Sequence, residues 1–230
     1  MRFDLCVFDV AGTTLRDDEA VARCMRETIA RRGPEPSPGA VADVMGLGKP
    51  VALGMLLRAA LRREPRRTEI KAASDEFERR MIRHYTLATE VAPIPGANTV
   101  FQALRSFGVR VALDTGFSRR ILNAVLHRVG WLEGAVVDFT VTSDEVPRGR
   151  PHPDMIHRAM HVLEVDDGHR VCKVGDTIAD IREGRAAGCG LVVGVTSGTG
   201  TRDELARAGA DLVLDSIADL PGLLARHHAA

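Results

Sequence analysis

The sequence predicts an α/β fold: a doubly wound parallel sheet with an all-helical unit inserted after its first strand. Three observations carry this expectation. A short apolar run, Phe3 to Phe8, stops at Asp9 and the small-residue turn Gly12-Thr13-Thr14. Residues 17–90 show helical periodicity and no strand signal. From Pro95 onward, helical patterns alternate with short apolar runs, as in a parallel sheet covered by helices.

The elements follow in order. Residues 3–8 form the first strand. Asp17-Asp18-Glu19 opens a helix over 17–32, with Val21, Met25 and Ile29 on one stripe and the acids where the helix dipole favours them. Ser37 is placed to cap a helix over 39–45, and Lys49-Pro50 opens a third that runs to about Arg63. Thr68 caps a long helix over 68–86, which ends ahead of Pro93 and Pro95. Helix 96–107 then precedes strand Val109–Leu113, and helix 118–129 precedes strand Val136–Thr140. Helices 153–163, 178–187 and 201–208 precede strands Arg170–Val174, Gly190–Val195 and Leu212–Leu214. His227-His228 reads as a tail. The first strand has no partner until the helices are past. The economical arrangement is therefore a core of residues 1–15 and 92–230, with residues 16–91 as a helical domain lying over it.

Composition narrows the function. At 230 residues and 45% apolar content, the chain can bury one sizeable core. Thirty-one basic and thirty-one acidic side chains cancel, so no net field favours nucleic acid or an anionic membrane. No apolar stretch approaches the roughly eighteen residues that span a bilayer, and the start lacks the pattern of a secretory leader. Cys6, Cys24, Cys172 and Cys189 are scattered without a C-x-x-C pair and are expected to be reduced, and the two in or beside predicted strands to be buried. A cytoplasmic location is the expectation. Only Lys49, Lys71 and Lys173 stand among many arginines, which draws interest to each.

Four segments end or follow predicted strands and carry polar chemistry. Asp9 closes the first. Thr115-Gly116 offers a hydroxyl and free amides at a helix start, which suits a phosphoryl oxygen. Arg150 stands before a Pro-opened helix, and Asp176 follows a strand with Asp180 one turn further on. Singly, each is ordinary: an Asp in such a loop is more often a helix cap, and Thr-Gly is common turn chemistry. In an open α/β sheet, however, the carboxyl ends of strands are where ligands gather, so the four can converge.

In this order the segments resemble the four motifs of the haloacid dehalogenase superfamily, a Rossmann-like fold, over essentially the whole predicted core. The helical insertion falls where that superfamily commonly carries a cap domain. The resemblance implies a hydrolase in which Asp9 is the nucleophile and forms an aspartyl-phosphate, with Thr115 and Arg150 in the catalytic set. It implies a metal held by Asp9, Asp176 and the backbone carbonyl of Ala11, with Asp180 as a possible second acid. Gly12, Thr13, Met45 and Gly116 would bind substrate. Oxygen-only ligation points to Mg²⁺ rather than zinc. The cation and Arg150 would offset the charge of a small organophosphorus substrate.

Most phosphatases of the superfamily carry a second Asp two residues after the nucleophile, as general acid/base. Here that position is Ala11. The phosphonatase branch shares this substitution and carries a Met-Gly-x-x-Lys segment, matched by Met45-Gly46-Leu47-Gly48-Lys49. In that branch the lysine forms an imine with the aldehyde of phosphonoacetaldehyde, and the carbon–phosphorus bond then breaks. The resemblance thus makes Lys49 catalytic and phosphonate cleavage the leading reaction. The chain departs from the branch at Glu19, Ala52 and Phe117. Hydrolysis of a phosphate monoester is the alternative. Dehalogenation and a non-catalytic regulatory role rank lower, since the metal motif Gly175-Asp176-Thr177 is intact. Met55, Leu56, Leu57 and Met81 are expected in the core or at a dimer contact, and the branch implies a homodimer through the cap.

Overall fold

Strand β1 (Leu5–Asp9) lies inside a six-stranded parallel sheet of order β3-β2-β1-β4-β5-β6, in a computed structural model that describes residues 3–228. The other strands are β2 (Arg110–Thr115), β3 (Phe139–Thr142), β4 (Val171–Gly175), β5 (Leu191–Val195) and β6 (Leu212–Leu214). Every residue of β1, β4 and β5 is buried, because helices cover both sheet faces. Side chains alternate across the sheet. Leu5 and Val7 pack with Ile156, Ile181 and Leu205 on one face, whereas Cys6 and Phe8 join a larger apolar cluster on the other.

The first four of the five helices between β1 and β2 form the insertion: α1 (Ala20–Ala30), α2 (Pro38–Ala42), α3 (Lys49–Leu61) and α4 (Arg67–Leu87). The larger cluster runs on into them through Met25, Leu53, Phe77 and Met81. The remaining helices are α5 (Ala97–Ser106), α6 (Arg119–Val129), α7 (Asp154–Val162), α8 (Ile178–Ala186), α9 (Arg202–Ala208) and α10 (Leu220–His228). The chain leaves and re-enters the sheet side by side: Arg16 N–H donates to the Ala92 carbonyl at 3.0 Å, and Ile94 N–H to Thr14 at 2.8 Å.

Several boundaries differ from expectation. Helix α1 begins at Ala20, so Asp17, Asp18 and Glu19 precede it rather than forming its first turn. Asp17 still serves that end, since its carboxylate accepts from Val21 N–H at 3.1 Å. Ser37 caps α2 as expected, accepting from Ala40 N–H at 3.2 Å, but α2 stops at Ala42. Helix α3 stops at Leu61. Helix α4 starts one residue before Thr68, which is not its cap; Glu69 closes the start by accepting from Arg66 N–H at 2.7 Å. Strand β3 is shifted toward the C-terminus from Val136–Thr140. Val136 and Val137 instead close a turn, in which Gly134 N–H donates to Val137 at 2.6 Å. Helix α10 was not expected, because Pro221 and Gly222 interrupt its apolar pattern. It contains His227 and His228, which are therefore no free tail in their backbone. Leu56, Leu57 and Met81 are buried while Met55 is exposed, and all four cysteines are free and buried.

Candidate active site

The sheet register sets the stage. Asp9 lies opposite Asp114, and Phe8 opposite Val174, so the ends of β1, β2 and β4 fall at one edge. There β1 has β2 on one side and β4 on the other, a point where the winding reverses and a crevice opens. Asp9, Thr115, Arg150, Asp176 and Asp180 meet in this crevice, all buried.

Arg150 is the hub. Its Nη1 lies 2.5 Å from Asp9 Oδ1 and 2.9 Å from Asp180 Oδ1, its Nε donates to Glu183 Oε2 at 2.8 Å, and its Nη2 donates to the Asp114 carboxylate. Below it, Lys173 Nζ reaches both Asp114 oxygens at 2.5 and 2.7 Å. It also lies 3.1 Å from Glu183 Oε2 and 3.2 Å from Asp180 Oδ1. Burial would raise Asp114, but Arg150 and Lys173 overcome it and hold this carboxyl below its usual value. Lys173 stays charged against burial and the nearby Arg150, because Asp114, Glu183 and Asp180 surround it.

Asp9 is different. Burial pushes it up to about 6, with Arg150 opposing and Asp180 adding to the rise. Asp176 is raised well above the usual carboxylate range by burial, Asp9 and Asp180. Asp176 Oδ1 accepts from Thr13 Oγ1 at 2.9 Å and its Oδ2 from Thr199 N–H at 2.8 Å, so only neutral donors hold it. Asp9, Asp176 and Asp180 each offer an oxygen within 4.8 Å of the others, a set able to hold a metal ion. Both oxygens of Asp180 already face donors: Oδ2 accepts from Thr177 N–H at 3.1 Å and Oγ1 at 2.5 Å, and Oδ1 faces the two cations. A second acidic group, Asp114, Asp180 and Glu183, is filled by Arg150 and Lys173.

The helical insertion contributes Met45 to Lys49. This loop meets the sheet at two close approaches that demand glycine. A Cβ on Gly46, whose φ is +81°, would sit 2.2 Å from Thr177 Oγ1; one on Gly116 would sit 2.5 Å from the Leu47 carbonyl. Lys49 N–H donates to Gly116 at 3.2 Å, locking the loop down. The Lys49 side chain is 7% exposed, and its Nζ lies 5.3 Å from the Phe117 ring centre and 3.4 Å from the Leu47 carbonyl. Burial and, against the pull of Asp9, the Arg150 charge lower this amine to about 8.

Lys49, Met45, Asp9, Ala11, Thr115 and Arg150 line one cavity of about 20 Å³, with Gly116 beside them. That is room for about one water molecule. Met45 also walls an adjoining hollow of about 790 Å³, bordered by Asp17, Arg26, Glu35 and Thr199. Gly12 and Thr13 do not line the small cavity. Gly12 N–H closes a turn onto Leu15 at 2.8 Å, and Thr13 holds Asp176.

Sequence reasoning gave no role to Asp114 or Glu183, and it marked Lys173 only as one of three rare lysines. The signals were present: a lysine inside the apolar strand Val171–Gly175, and an acid three residues after Asp180 on the same helix face. His152 is exposed, and Arg148 pairs with Asp154 at 3.0 Å on the surface.

Residues 3–188 match the haloacid dehalogenase-like hydrolase family. A phosphonoacetaldehyde hydrolase of Bacillus cereus is 33% identical over 209 residues, which are 86% of this chain and 78% of that protein. The crystal structure of a phosphonoacetaldehyde hydrolase-like protein from Oleispira antarctica superimposes with a TM-score of 0.84 at 25% identity, covering 98% of this chain and 92% of that one. A hydrolase from Pseudomonas syringae superimposes with a TM-score of 0.86 at 21% identity, covering 97% and 98%, a likeness of fold.

Proposed function

The chain belongs to the haloacid dehalogenase-like hydrolases, and from that premise we propose that it cleaves the carbon–phosphorus bond of a small phosphonate bearing an aldehyde, such as phosphonoacetaldehyde. One observation carries the reading. A buried lysine whose amine is lowered to about 8 shares a small cavity with the strand-end carboxylate Asp9, and Ala11 stands in the same cavity in place of an acid.

The chemistry follows from these groups. The neutral amine of Lys49 adds to the aldehyde carbon and expels water, giving an imine. The imine nitrogen takes up a proton; Asp9 then attacks phosphorus, the carbon–phosphorus bond breaks, and its electron pair passes into the protonated imine to form a neutral enamine. Water hydrolyses the aspartyl-phosphate to release phosphate and restore Asp9. Protonation of the enamine and hydrolysis of the resulting imine release acetaldehyde and restore Lys49. Because the electron pair has this sink, the leaving carbon needs no proton at the moment of cleavage, and Ala11 is tolerated. Arg150 orients Asp9 and, with Thr115, faces the phosphoryl oxygens.

The residues fit a divalent cation. Asp9 and Asp176 are hard oxygen donors raised by burial and by neighbouring carboxylates, and among the described residues no backbone N–H donates to the Ala11 carbonyl. Mg²⁺ held by these three groups would neutralise charge on the phosphoryl group. A cavity of about 20 Å³ is too small to admit the substrate, so on this reading residues 16–91 act as a cap that moves aside for entry.

Borohydride added with phosphonoacetaldehyde should fix a reduced adduct on Lys49, located by peptide mass spectrometry, and the enzyme should release phosphate from that compound. Absence of the adduct, with phosphate release from monoesters retained in Lys49→Arg, would overturn the reading in favour of ester hydrolysis.

A further inference from the structure

Six ionisable side chains pack beneath the crevice: the cations Arg150 and Lys173, and the carboxyls Asp9, Asp114, Asp180 and Glu183. Five of the six side chains are wholly buried, and Asp9 nearly so. If all were ionised, four negative charges would face two positive ones, and buried charge without a partner is costly. One carboxyl is set up to relieve this. Both Asp114 oxygens accept from Lys173, and one also from Arg150. Asp180 is held by Thr177 on one oxygen and faces both cations with the other. Asp9 must be ionised to attack phosphorus. Glu183 turns Oε2 to Arg150 and Lys173, while its Oε1 is buried with no hydrogen-bond partner.

We propose that Glu183 is a positioning residue for Arg150 and acts in its protonated form, donating through Oε1 to Asp114 while Oε2 accepts from Arg150. The proton gives Oε1, which unlike Asp180 Oδ1 has no cation beside it, a hydrogen bond to make, and it removes one of the two excess charges. It also leaves the guanidinium free to lean on Asp9 and on the phosphoryl group, instead of being drawn back by a third full charge. The groups facing Glu183 are Asp114 on β2, Lys173 on β4, Asp180 on its own helix and Arg150 from the loop before α7. Burial and Asp114 together raise Glu183 to about 8, against Lys173 and Arg150, and the Asp114 and Glu183 carboxyls lie within hydrogen-bonding reach of each other. Above that pH the glutamate ionises and competes with Asp9 for Arg150. The inference rests on the reading that Arg150 faces the transferring phosphoryl group.

The test measures binding of inorganic phosphate, in the presence of Mg²⁺, to the wild type, Glu183→Gln and Glu183→Ala on either side of about pH 8. Comparing variants at each pH cancels the titration of phosphate and of Lys49. The amide of Glu183→Gln reproduces the protonated acid, so it should bind like the wild type below that pH and keep its affinity above it, where the wild type weakens. Glu183→Ala should bind about tenfold or more weakly throughout, since a hydrogen bond to a charged group is lost. Equal losses in the two variants, or no loss in Glu183→Ala, would overturn the proposal. Carboxyl ¹³C NMR reads the proton directly, the Glu183 signal being the one absent from Glu183→Gln. A protonated signal at neutral pH supports the proposal, and an ionised one defeats it even where Glu183→Ala does not fold. A wild type that fails to bind phosphate would count against the functional reading alone, and the NMR signal would still decide the state of Glu183.

Discussion

Lys49 and Lys173 are both buried, at 7% and 0% exposure, yet their surroundings treat the ammonium group in opposite ways. Lys173, in the sheet, has Asp114, Glu183 and Asp180 within 3.2 Å, and its charge is held firmly. Lys49, on the insertion, touches a backbone carbonyl and an aromatic face, and its charge is disfavoured. Desolvation is the first influence on both, and the carboxylates in contact decide the outcome. A paired lysine is a cross-link in the framework. An unpaired one beside a carboxylate crevice is a nucleophile in waiting.

Replacing each lysine by methionine separates the two roles. Lys49→Met should abolish phosphonate cleavage, a loss on the order of 10⁴-fold or more as for a covalent catalytic group, while the protein stays folded. Its folded value of about 8 lies below the ordinary 10.5, so the fold opposes the charge at neutral pH. That penalty fades as pH rises from about 8 toward 10.5. Urea denaturation at neutral pH should therefore show Lys49→Met more stable by about 1–3 kcal/mol; a large loss of stability would mean Lys49 is framework after all. Lys173→Met should go the other way. It strips one of two cations from four carboxyls, and breaking such a buried network costs about 3–5 kcal/mol. A Lys173→Met protein as stable as the wild type would erase the contrast.

The sequence discloses the Lys49 half of this comparison far better than the Lys173 half. Asp9, Thr115, Arg150 and Asp176 each sit at the end of an apolar run or the start of a helix, so local pattern alone places them at one sheet edge. Lys49 stands out because Gly46 and Gly48 flank it and Pro50 fixes the helix start. The web beneath them is formed by contacts between β2, β4 and α8, and no local period records which buried charges face one another. The Val136–Val137 turn misleads for the same reason. Two valines suggest a strand, but Asp138, whose carboxylate takes Val111 N–H at 2.7 Å, delays pairing until Phe139.

Ala11 sharpens the comparison from the other side of the cavity. Ala11→Asp would put an acid two residues after Asp9, the proposed nucleophile, and place a carboxylate in the cavity that holds Lys49. Two effects should follow together. Hydrolysis of simple phosphate monoesters should rise by up to about 10²-fold, the lower end of what a positioned acid contributes. The new charge should also raise Lys49 from about 8, making it resemble Lys173, so that imine trapping at neutral pH weakens. Parallel assays on a phosphonate and a monoester read both. A variant that gains neither ester activity nor a shifted pH profile for trapping would show that Ala11 is no part of the division between the two chemistries.

The smallest effect concerns Asp9 and Asp176, which, unlike Asp114, are not held below their usual range by nearby cations. Asp9 is raised to about 6 in the folded protein from an ordinary 3.8, and Asp176 is raised as well. A raised carboxyl favours the fold most while it is protonated, and that contribution is lost as pH climbs through the folded value. For Asp9 the window runs from about 4 to about 6. A divalent cation supplies the missing positive charge only once these groups have ionised. Mg²⁺ should therefore raise the melting temperature at neutral pH and do little near pH 4. At a hundredfold excess over its dissociation constant the gain is about 2.7 kcal/mol, or roughly 2–4 °C for each kcal/mol in a chain of this size. Asp176→Asn should remove most of that gain, whereas Glu183→Gln should keep it, because Glu183 answers to Arg150 and Lys173 and not to the cation. A stabilisation that is the same at both pH values would place the cation elsewhere and leave the two carboxyls without their counter-charge.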